Sequence, residues 1–280
     1  MELSMAEIVK TIILGVVEGL TEWLPVSSTG HMILVDEFIK LDVKKSFMDM
    51  FLVVIQLGAI LAVVAISFEK LNPFSGFKSK EEKRLTIELW KKVMVACVPA
   101  AVIGLIFNDY MEEHFMTTGV VAAMLILYGV FFIWVENYNK GKNPRINNLD
   151  FLDYKTAFII GMFQVLALVP GTSRSGATIL GGILFGASRL VAAEFTFFLA
   201  IPVMFGASAL KIVKFGFNYT FEEIVILLIG MVTAFIVSVL SIKFLLRYIK
   251  NNDFKAFGWY RIALGIIVVL YLLLIGDPIN

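Results

Sequence analysis

Two short polar segments interrupt apolar sequence and hold most of the residues whose types could perform chemistry. The first polar segment reads Leu-Pro-Val-Ser-Ser-Thr-Gly-His over residues 24–31, and the second reads Val-Pro-Gly-Thr-Ser-Arg-Ser-Gly over residues 169–176. Each is followed by an apolar helical start, at Gly30 and at Gly176, and helix N-termini present free N–H groups that favour anions. We therefore predict that the two segments together bind an anion such as a phosphate group.

The second polar segment adds a permanent cation to these donors. Arg174 offers five N–H donors and keeps its charge at physiological pH, and a charge inside an apolar stretch is a functional candidate by default. The stretch 171–178 resembles a P-loop but lacks its lysine and a preceding strand, so a nucleotide-binding P-loop is excluded. The other predicted phosphate-binding positions are small or carry a hydroxyl: Ser27, Thr29, Gly30, Thr172, Ser173, Ser175, Gly176 and Thr178.

The first polar segment is preceded by two carboxylates. Glu18 and Glu22 lie four residues apart on one helix face, where their mutual repulsion and the helix dipole both disfavour them. They therefore need a bound cation, a substrate proton or Arg174. With a serine of these segments as nucleophile and His31 as an acid–base group, the set could perform phosphoryl transfer. Asp/His clusters typical of transition-metal sites are missing, but Glu18 and Glu22 with a phosphate could hold Mg²⁺ or Ca²⁺.

The composition indicates that membrane-spanning helices must position these residues. Of the 280 residues, 59% are hydrophobic and 17% are charged, which excludes a disordered chain and disfavours a soluble domain. The formal net charge of +1 gives no reason to expect a nucleic-acid partner. Since lipid leaves unpaired backbone groups without partners, apolar stretches of about 20 residues should span as α-helices. The predicted spans are 47–68, 90–108, 117–136, 190–213, 221–245 and 256–276.

Two further apolar segments, 3–39 and 154–187, are each broken by one of the polar segments. Because proline and glycine end helices and irregular backbone at membrane depth needs protein or water around it, we predict two re-entrant helical hairpins. One kinked transmembrane helix each is the alternative.

The two broken segments resemble each other at an offset of 146 residues. The matched pairs are Gly15 with Gly161, Glu18 with Gln164, Ser27 with Ser173, and Gly30 with Gly176. Three spans follow each hairpin, and an odd number inverts the second copy. The prediction is an all-α integral membrane protein with an inverted-topology repeat. The first repeat covers 1–136 and the second 154–276, within one membrane domain over 1–280.

Lysine and arginine in the short loops predict the orientation. Seventeen lie in one set of loops, including Arg261 in the region 243–261, and five lie in the alternate set. The first set is predicted to be cytoplasmic, which places both termini outside. The first hairpin then enters from outside and the second from the cytoplasm.

The stretches 18–31 and 170–178 resemble the two signature motifs of the bacterial undecaprenyl-pyrophosphate phosphatase family, also called the bacitracin-resistance proteins. The resemblance covers nearly the whole chain. It implies a multi-pass inner-membrane enzyme that hydrolyses undecaprenyl pyrophosphate to the monophosphate carrier of cell-wall synthesis. It also implies a site facing the outer side and activity aided by divalent cations. The family's essential positions fall on Glu18, Glu22, Ser28, His31 and Arg174.

This resemblance leads to a mechanistic hypothesis. Arg174 and the N–H groups of both polar segments hold the pyrophosphate of a polyprenyl lipid, whose tail lies in an apolar groove open to the bilayer. Ser28 or His31 attacks, and we favour Ser28 with His31 as base and later acid. Glu22, with Glu18, orients His31 or binds the cation. The alternative is a transporter or flippase for an anionic lipid or small anion. Oligomeric state, cation identity and prenyl-length preference stay open.

Overall fold

The protein is built entirely from helices packed side by side. The computed structural model describes residues 4–216 and 218–275. Within them the α-helices are α1 Met5–Thr21, α2 Ser28–Phe38, α3 Lys45–Ile66, α4 Phe68–Leu71, α5 Lys80–Phe115, α6 Thr118–Tyr138, α7 Tyr154–Val165, α8 Arg174–Leu184, α9 Arg189–Phe215, α10 Phe221–Tyr248 and α11 Lys255–Ile275.

Six of these helices are long and apolar enough to cross a membrane: α3, α5, α6, α9, α10 and α11. The prediction of six spanning helices is therefore confirmed. The largest difference is at α5, which begins at Lys80, ten residues before the predicted start. There the Ser79 hydroxyl accepts from the Glu82 N–H, and the Glu82 carboxylate accepts from the Ser79 N–H. This capping box starts the helix in polar sequence, ahead of the apolar stretch that hydropathy detects.

Both predicted breaks are present, and each falls between two helices. α1 ends at Thr21 and α2 begins at Ser28, while α7 ends at Val165 and α8 begins at Arg174. The second helix of each pair starts two residues earlier than predicted, because a serine and not a glycine forms its N-cap. The breaks place both polar segments in the interior of the helix bundle.

Glycines let the broken helices approach their neighbours closely. A Cβ on Gly19 would lie 2.8 Å from the Ala234 carbonyl oxygen, so α1 packs against α10 with backbones almost touching. A Cβ on Gly161 would collide with the Ala96 carbonyl oxygen, which gives α7 the same relation to α5. The largest apolar core surrounds α8 and α9, where Trp23 is fully buried and meets the Phe197 ring edge-on at 5.3 Å. These contacts fix the helices on which both polar segments are placed.

Candidate active site

The two polar segments fold into the same local structure. Ser27 has φ of 73° and Ser173 has φ of 71°, and no other non-glycine residue in the described ranges has positive φ. The Ser27 hydroxyl accepts from the Gly30 N–H at 3.3 Å, and the Ser173 hydroxyl accepts from the Gly176 N–H at 3.2 Å. Residues with positive φ and a β-carbon are uncommon and cluster at functional sites. Both helix starts are thus built on a strained serine cap.

Glu22 connects the two polar segments. One of its carboxylate oxygens accepts from Arg174 Nη2 at 2.8 Å, and the other accepts from the Ser28 hydroxyl at 2.9 Å. The side chains of the Arg174–Glu22 pair are only 13% and 9% exposed. Of the partners predicted for the two glutamates, the structure gives Glu22 the arginine. The pair joins residues 152 positions apart, so it holds both helix starts at one place.

Hydroxyl groups behind this pair fix the first turn of α8. The Ser175 hydroxyl donates to the Glu22 carbonyl oxygen at 3.1 Å. The Thr178 hydroxyl donates back to the Arg174 carbonyl at 2.9 Å and accepts from the Thr196 hydroxyl at 2.9 Å. Arg174 Nη1 donates to the Thr196 carbonyl at 3.3 Å. Thr196, on α9, was not identified from the sequence, where it is one hydroxyl within a run of phenylalanines.

His31 makes contacts that differ from the predicted ones. Its Nδ1 donates to the Ser27 carbonyl at 2.8 Å, so in the neutral ring Nε2 is an acceptor. Nε2 lies 2.6 Å from the Tyr260 hydroxyl, and the two rings stack with centroids 5.6 Å apart. The hypothesis paired His31 with Ser28 and with Glu22. In the structure Ser28 and Glu22 bond to each other instead, and the Ser27 carbonyl and the Tyr260 hydroxyl take both ring nitrogens of His31.

Arg261 corrects one sequence-based assignment. It was counted among the loop cations, but it lies within α11 and is fully buried. Its Nη1 donates to the Pro25 carbonyl at 3.3 Å, and its Nη2 donates to the carbonyls of Gly171 and Thr172 at 2.9 and 3.0 Å. Arg261 therefore clamps the backbones of both polar segments. Arg261 is also a charge within an apolar stretch. The argument applied to Arg174 therefore also predicts a functional role for Arg261.

Two matched positions in the repeat carry buried polar atoms without partners. Glu18 is 2% exposed, and one of its carboxylate oxygens has no hydrogen-bond partner among the described residues. Gln164, its counterpart, is 3% exposed, and neither of its amide atoms has a partner there. A buried acceptor without a donor is costly, which marks Glu18 as a place for a proton or a cation.

The remaining predicted site residues divide by exposure. A partly exposed group, which we call the rim, lies at the Arg174–Glu22 pair; it consists of Ser28, Thr29, His31, Ser173 and Arg174. A buried group supports that rim from below; it consists of Ser27, Gly30, Thr172, Ser175, Gly176 and Thr178. Within the described ranges, no three His, Cys, Asp or Glu side chains come together as a metal site. The rim presents hydroxyl, imidazole and guanidinium groups, and the buried group supports them.

Six apolar helices around a buried glutamate and a partly exposed arginine, serine and histidine define a multi-pass membrane protein with a centre suited to anion chemistry. The chain belongs to the family described as "Bacitracin resistance protein BacA", whose model matches residues 11–267. It is 65% identical over 270 residues to an "Undecaprenyl-diphosphatase" of Desulfitobacterium hafniense, covering 96% of this chain and 97% of that protein. It is 62% identical over 269 residues to a protein of the same name from Enterococcus faecalis, covering 95% and 98%.

Proposed function

We propose that this protein is an undecaprenyl-diphosphatase. It hydrolyses undecaprenyl pyrophosphate to undecaprenyl phosphate and inorganic phosphate, which recycles the lipid carrier of peptidoglycan synthesis. The observation that carries this proposal is the contact of Arg174 and Ser28 with one carboxylate, Glu22, at two helix starts. The relatives named undecaprenyl-diphosphatase, matched over nearly their whole length, support the same reaction.

Substrate binding uses the partly exposed rim. The first N–H groups of an α-helix have no partner within the helix, so those of Ser28 and Thr29 in α2, and of Arg174 and Ser175 in α8, are available to phosphate oxygens. Arg174 adds a charged donor that Glu22 holds in place. These groups orient the terminal phosphate and stabilise the charge on its oxygens in the transition state. The prenyl tail stays among the apolar surfaces that the bundle turns to lipid.

The chemical step begins at Ser28. Its Oγ attacks the terminal phosphorus while Glu22, 2.9 Å away, accepts its proton. The bond from that phosphorus to the bridging oxygen breaks, and undecaprenyl phosphate leaves. Water then hydrolyses the phosphoserine, which releases inorganic phosphate and restores the Ser28 hydroxyl. His31, held by Ser27 and Tyr260, serves as acid–base group in this second step, and attack by its Nε2 is the alternative first step.

Phosphate release from purified protein tests the function. We expect hydrolysis of prenyl pyrophosphates of graded length, a phosphoenzyme in acid-quenched reactions, and phosphate mapped to the peptide containing Ser28. Ser28→Ala should abolish this phosphoenzyme, and Ser4→Ala, which removes a helix cap far from the site, is the control. Label on His31 would instead assign the attack to the imidazole. No phosphate release from any prenyl pyrophosphate would exclude the proposed function.

A divalent cation is part of the proposal. Glu22 already accepts from two partners, so Glu18, whose Oε1 has none, is the residue that would hold Mg²⁺ or Ca²⁺ together with substrate oxygens. When bound, such an ion neutralises phosphate oxygens and weakens the bond that breaks. The substrate-binding and proton-transfer roles described above belong to the side chains and backbone N–H groups of this chain.

Removal of divalent cations should therefore slow the enzyme through Glu18. We expect EDTA to lower kcat/KM of the wild type about 10²-fold or more, the range for the loss of one electrostatic contact to a reacting group. Glu18→Gln, which keeps the shape but loses the charge, should be slow already and insensitive to EDTA. Glu69→Gln, at a carboxylate that contacts the Ser75 hydroxyl instead, is the control and should keep the wild-type response. Equal EDTA sensitivity of Glu18→Gln and the wild type would exclude this site.

The inverted repeat also belongs to the proposal, and three observations support it. α2 and α8 each have 11 residues, about 16 Å at 1.5 Å per residue, which is too short to cross a bilayer core of about 30 Å. Both begin at a serine cap with the same φ. The matched glycines Gly15 and Gly161 pack α1 against α10 and α7 against α5, which are the helices that a two-fold relation would exchange.

We place the site on the outer side of the bacterial inner membrane, with both termini outside. With Arg261 removed from the loop count, 16 cations still oppose five, so the charge asymmetry supports this orientation. In a Cys97→Ser background, a membrane-impermeant maleimide should label Lys44→Cys and Thr29→Cys from outside, and Lys142→Cys only from inside. Labelling of Thr29→Cys from both sides, without phosphate release, would favour the transporter alternative.

A further inference from the structure

A cavity lies at the opposite end of α8 from Arg174. It has a volume of about 760 Å³ and forms where α6, α8 and α10 end and α9 and α11 begin. Glu136 and Asp253 are the carboxylates in its lining. The cations in its lining are Lys140, Lys142, Arg145, Arg189, Lys250 and Lys255. Six cations against two carboxylates leave a net of four positive charges around one space, which favours an anionic occupant.

The two carboxylates are already neutralised by protein partners. Glu136 is 2% exposed and accepts from Arg189 Nε at 2.9 Å and from the Phe254 N–H at 2.9 Å. Asp253 pairs with Lys255 at 3.4 Å. Neither carboxylate is therefore free to cancel the charge of the remaining cations.

Two of those remaining cations have no partner of their own. Arg145 donates to the Phe185 carbonyl at 3.2 Å, and the Lys142 ammonium lies 3.1 Å from the centre of the Tyr138 ring. Lys140 and Lys250 are exposed, and their ammonium groups make no hydrogen bond or ion pair with the described part of the chain. Two unpaired ammonium groups at the mouth of a positively charged cavity are suited to a phosphate.

Three aromatic rings on α6, those of Phe131, Trp134 and Tyr138, stack in a row that begins at the cavity. We call this row the ladder. The Tyr138 ring, which lines the cavity, stacks on Trp134 at 5.5 Å, and Trp134 stacks on Phe131 at 5.6 Å. Trp134 is 52% exposed and Tyr138 is 55% exposed. Exposed tryptophan and tyrosine at the end of a spanning helix are typical of the lipid–water interface. The ladder offers acyl chains a surface that begins at the cavity.

We propose that this cavity binds the phosphate headgroup of an anionic phospholipid whose acyl chains lie along the ladder of Phe131, Trp134 and Tyr138. Basic pockets between spanning helices bind such headgroups by this combination of charge and adjoining apolar surface. A free phosphate shares the charge but has no use for the ladder. The site is separate from the proposed active site, since the 11 residues of α8 place about 16 Å between them.

Lipid titrations of the purified, detergent-solubilised protein test this site. The probes are dioleoyl phosphatidylglycerol, dioleoyl phosphatidylcholine and inorganic phosphate, and the readout is the rise in Tm with ligand concentration. The test variant is Lys140→Ala/Lys250→Ala, and Lys140→Arg/Lys250→Arg retains the charge. The matched control is Lys80→Ala/Lys155→Ala, which removes two exposed lysines that do not line the cavity. Trp134→Ala removes the middle of the ladder.

We expect phosphatidylglycerol to bind and phosphatidylcholine to bind much more weakly. Loss of both lysines should weaken phosphatidylglycerol binding roughly thirty-fold, or about 2 kcal/mol at 1.4 kcal/mol per tenfold change. The arginine variant, the control variant and Arg174→Ala should bind as the wild type does. Trp134→Ala should weaken binding of the lipid only.

Three results would overturn the proposal. One is equal binding of the two lipids, and another is equal loss in the cavity and control variants. The third is phosphate binding as tight as that of phosphatidylglycerol, which would make the ligand a soluble phosphate.

Discussion

Replacing Arg174 by alanine should lower kcat/KM for prenyl pyrophosphate hydrolysis by about 10³-fold or more, the range measured when an arginine or equivalent donor to a transferring phosphoryl group is lost. Arg174 contacts Glu22 at 2.8 Å and stands at the first position of α8. Its removal takes away the charged donor to the substrate. It also leaves the Glu22 carboxylate, 8% exposed, without its counterion. The substrate phosphate then loses a donor and also faces the unneutralised charge of Glu22.

Phosphate release at substrate concentrations spanning KM measures this effect. Arg174→Lys should recover only part of the activity, because a single ammonium cannot bind Glu22 and a phosphate with the fork of a guanidinium. The matched control is Arg84→Ala, which removes an exposed arginine whose partner, Glu81, lies on the same helical surface. Activity of Arg174→Ala within threefold of the wild type would contradict the assignment.

Replacing Arg261 by methionine should both destabilise the protein and inactivate it. The guanidinium is fully buried and donates to carbonyls of both polar segments, at Pro25, Gly171 and Thr172. Each buried acceptor left without a donor costs about 1–3 kcal/mol, so the loss of stability should be about 3 kcal/mol or more. The two helix starts then lose their common clamp. We expect kcat to fall at least about tenfold, since small displacements of positioned groups are costly in catalysis.

Thermal unfolding and phosphate release from the same preparation separate these two effects. A loss of about 3 kcal/mol corresponds to a fall in Tm of roughly 6–12 °C in a chain of this size. Arg261→Lys should be intermediate, because one ammonium can reach only some of the carbonyls. Arg247→Met removes an exposed arginine from α10 and should change neither quantity. An Arg261→Met protein with wild-type Tm and kcat would show that the clamp is dispensable.

The sequence determined the parts of this protein that depend on local properties. Hydropathy located six spanning helices, because each needs only a continuous apolar stretch of sufficient length. Proline, glycine and hydroxyl residues located both breaks, and the offset of 146 residues matched Ser27 to Ser173 before their shared φ was seen. The same reasoning singled out Arg174 as a functional charge within an apolar stretch and as one of three possible partners of Glu18 and Glu22.

Only the tertiary structure decided which side chains meet. Ser28 bonds to Glu22 and not to His31, and Arg261 binds backbone 89 to 236 residues away. Tertiary packing likewise places Tyr260 of α11 beside His31 and Thr196 of α9 beside Arg174. Such contacts depend on how closely helices distant in sequence pack and on how they are rotated about their axes. The distance between two helices and their rotation are set by glycine contacts and by the packing of the whole core. A local sequence pattern therefore cannot predict them.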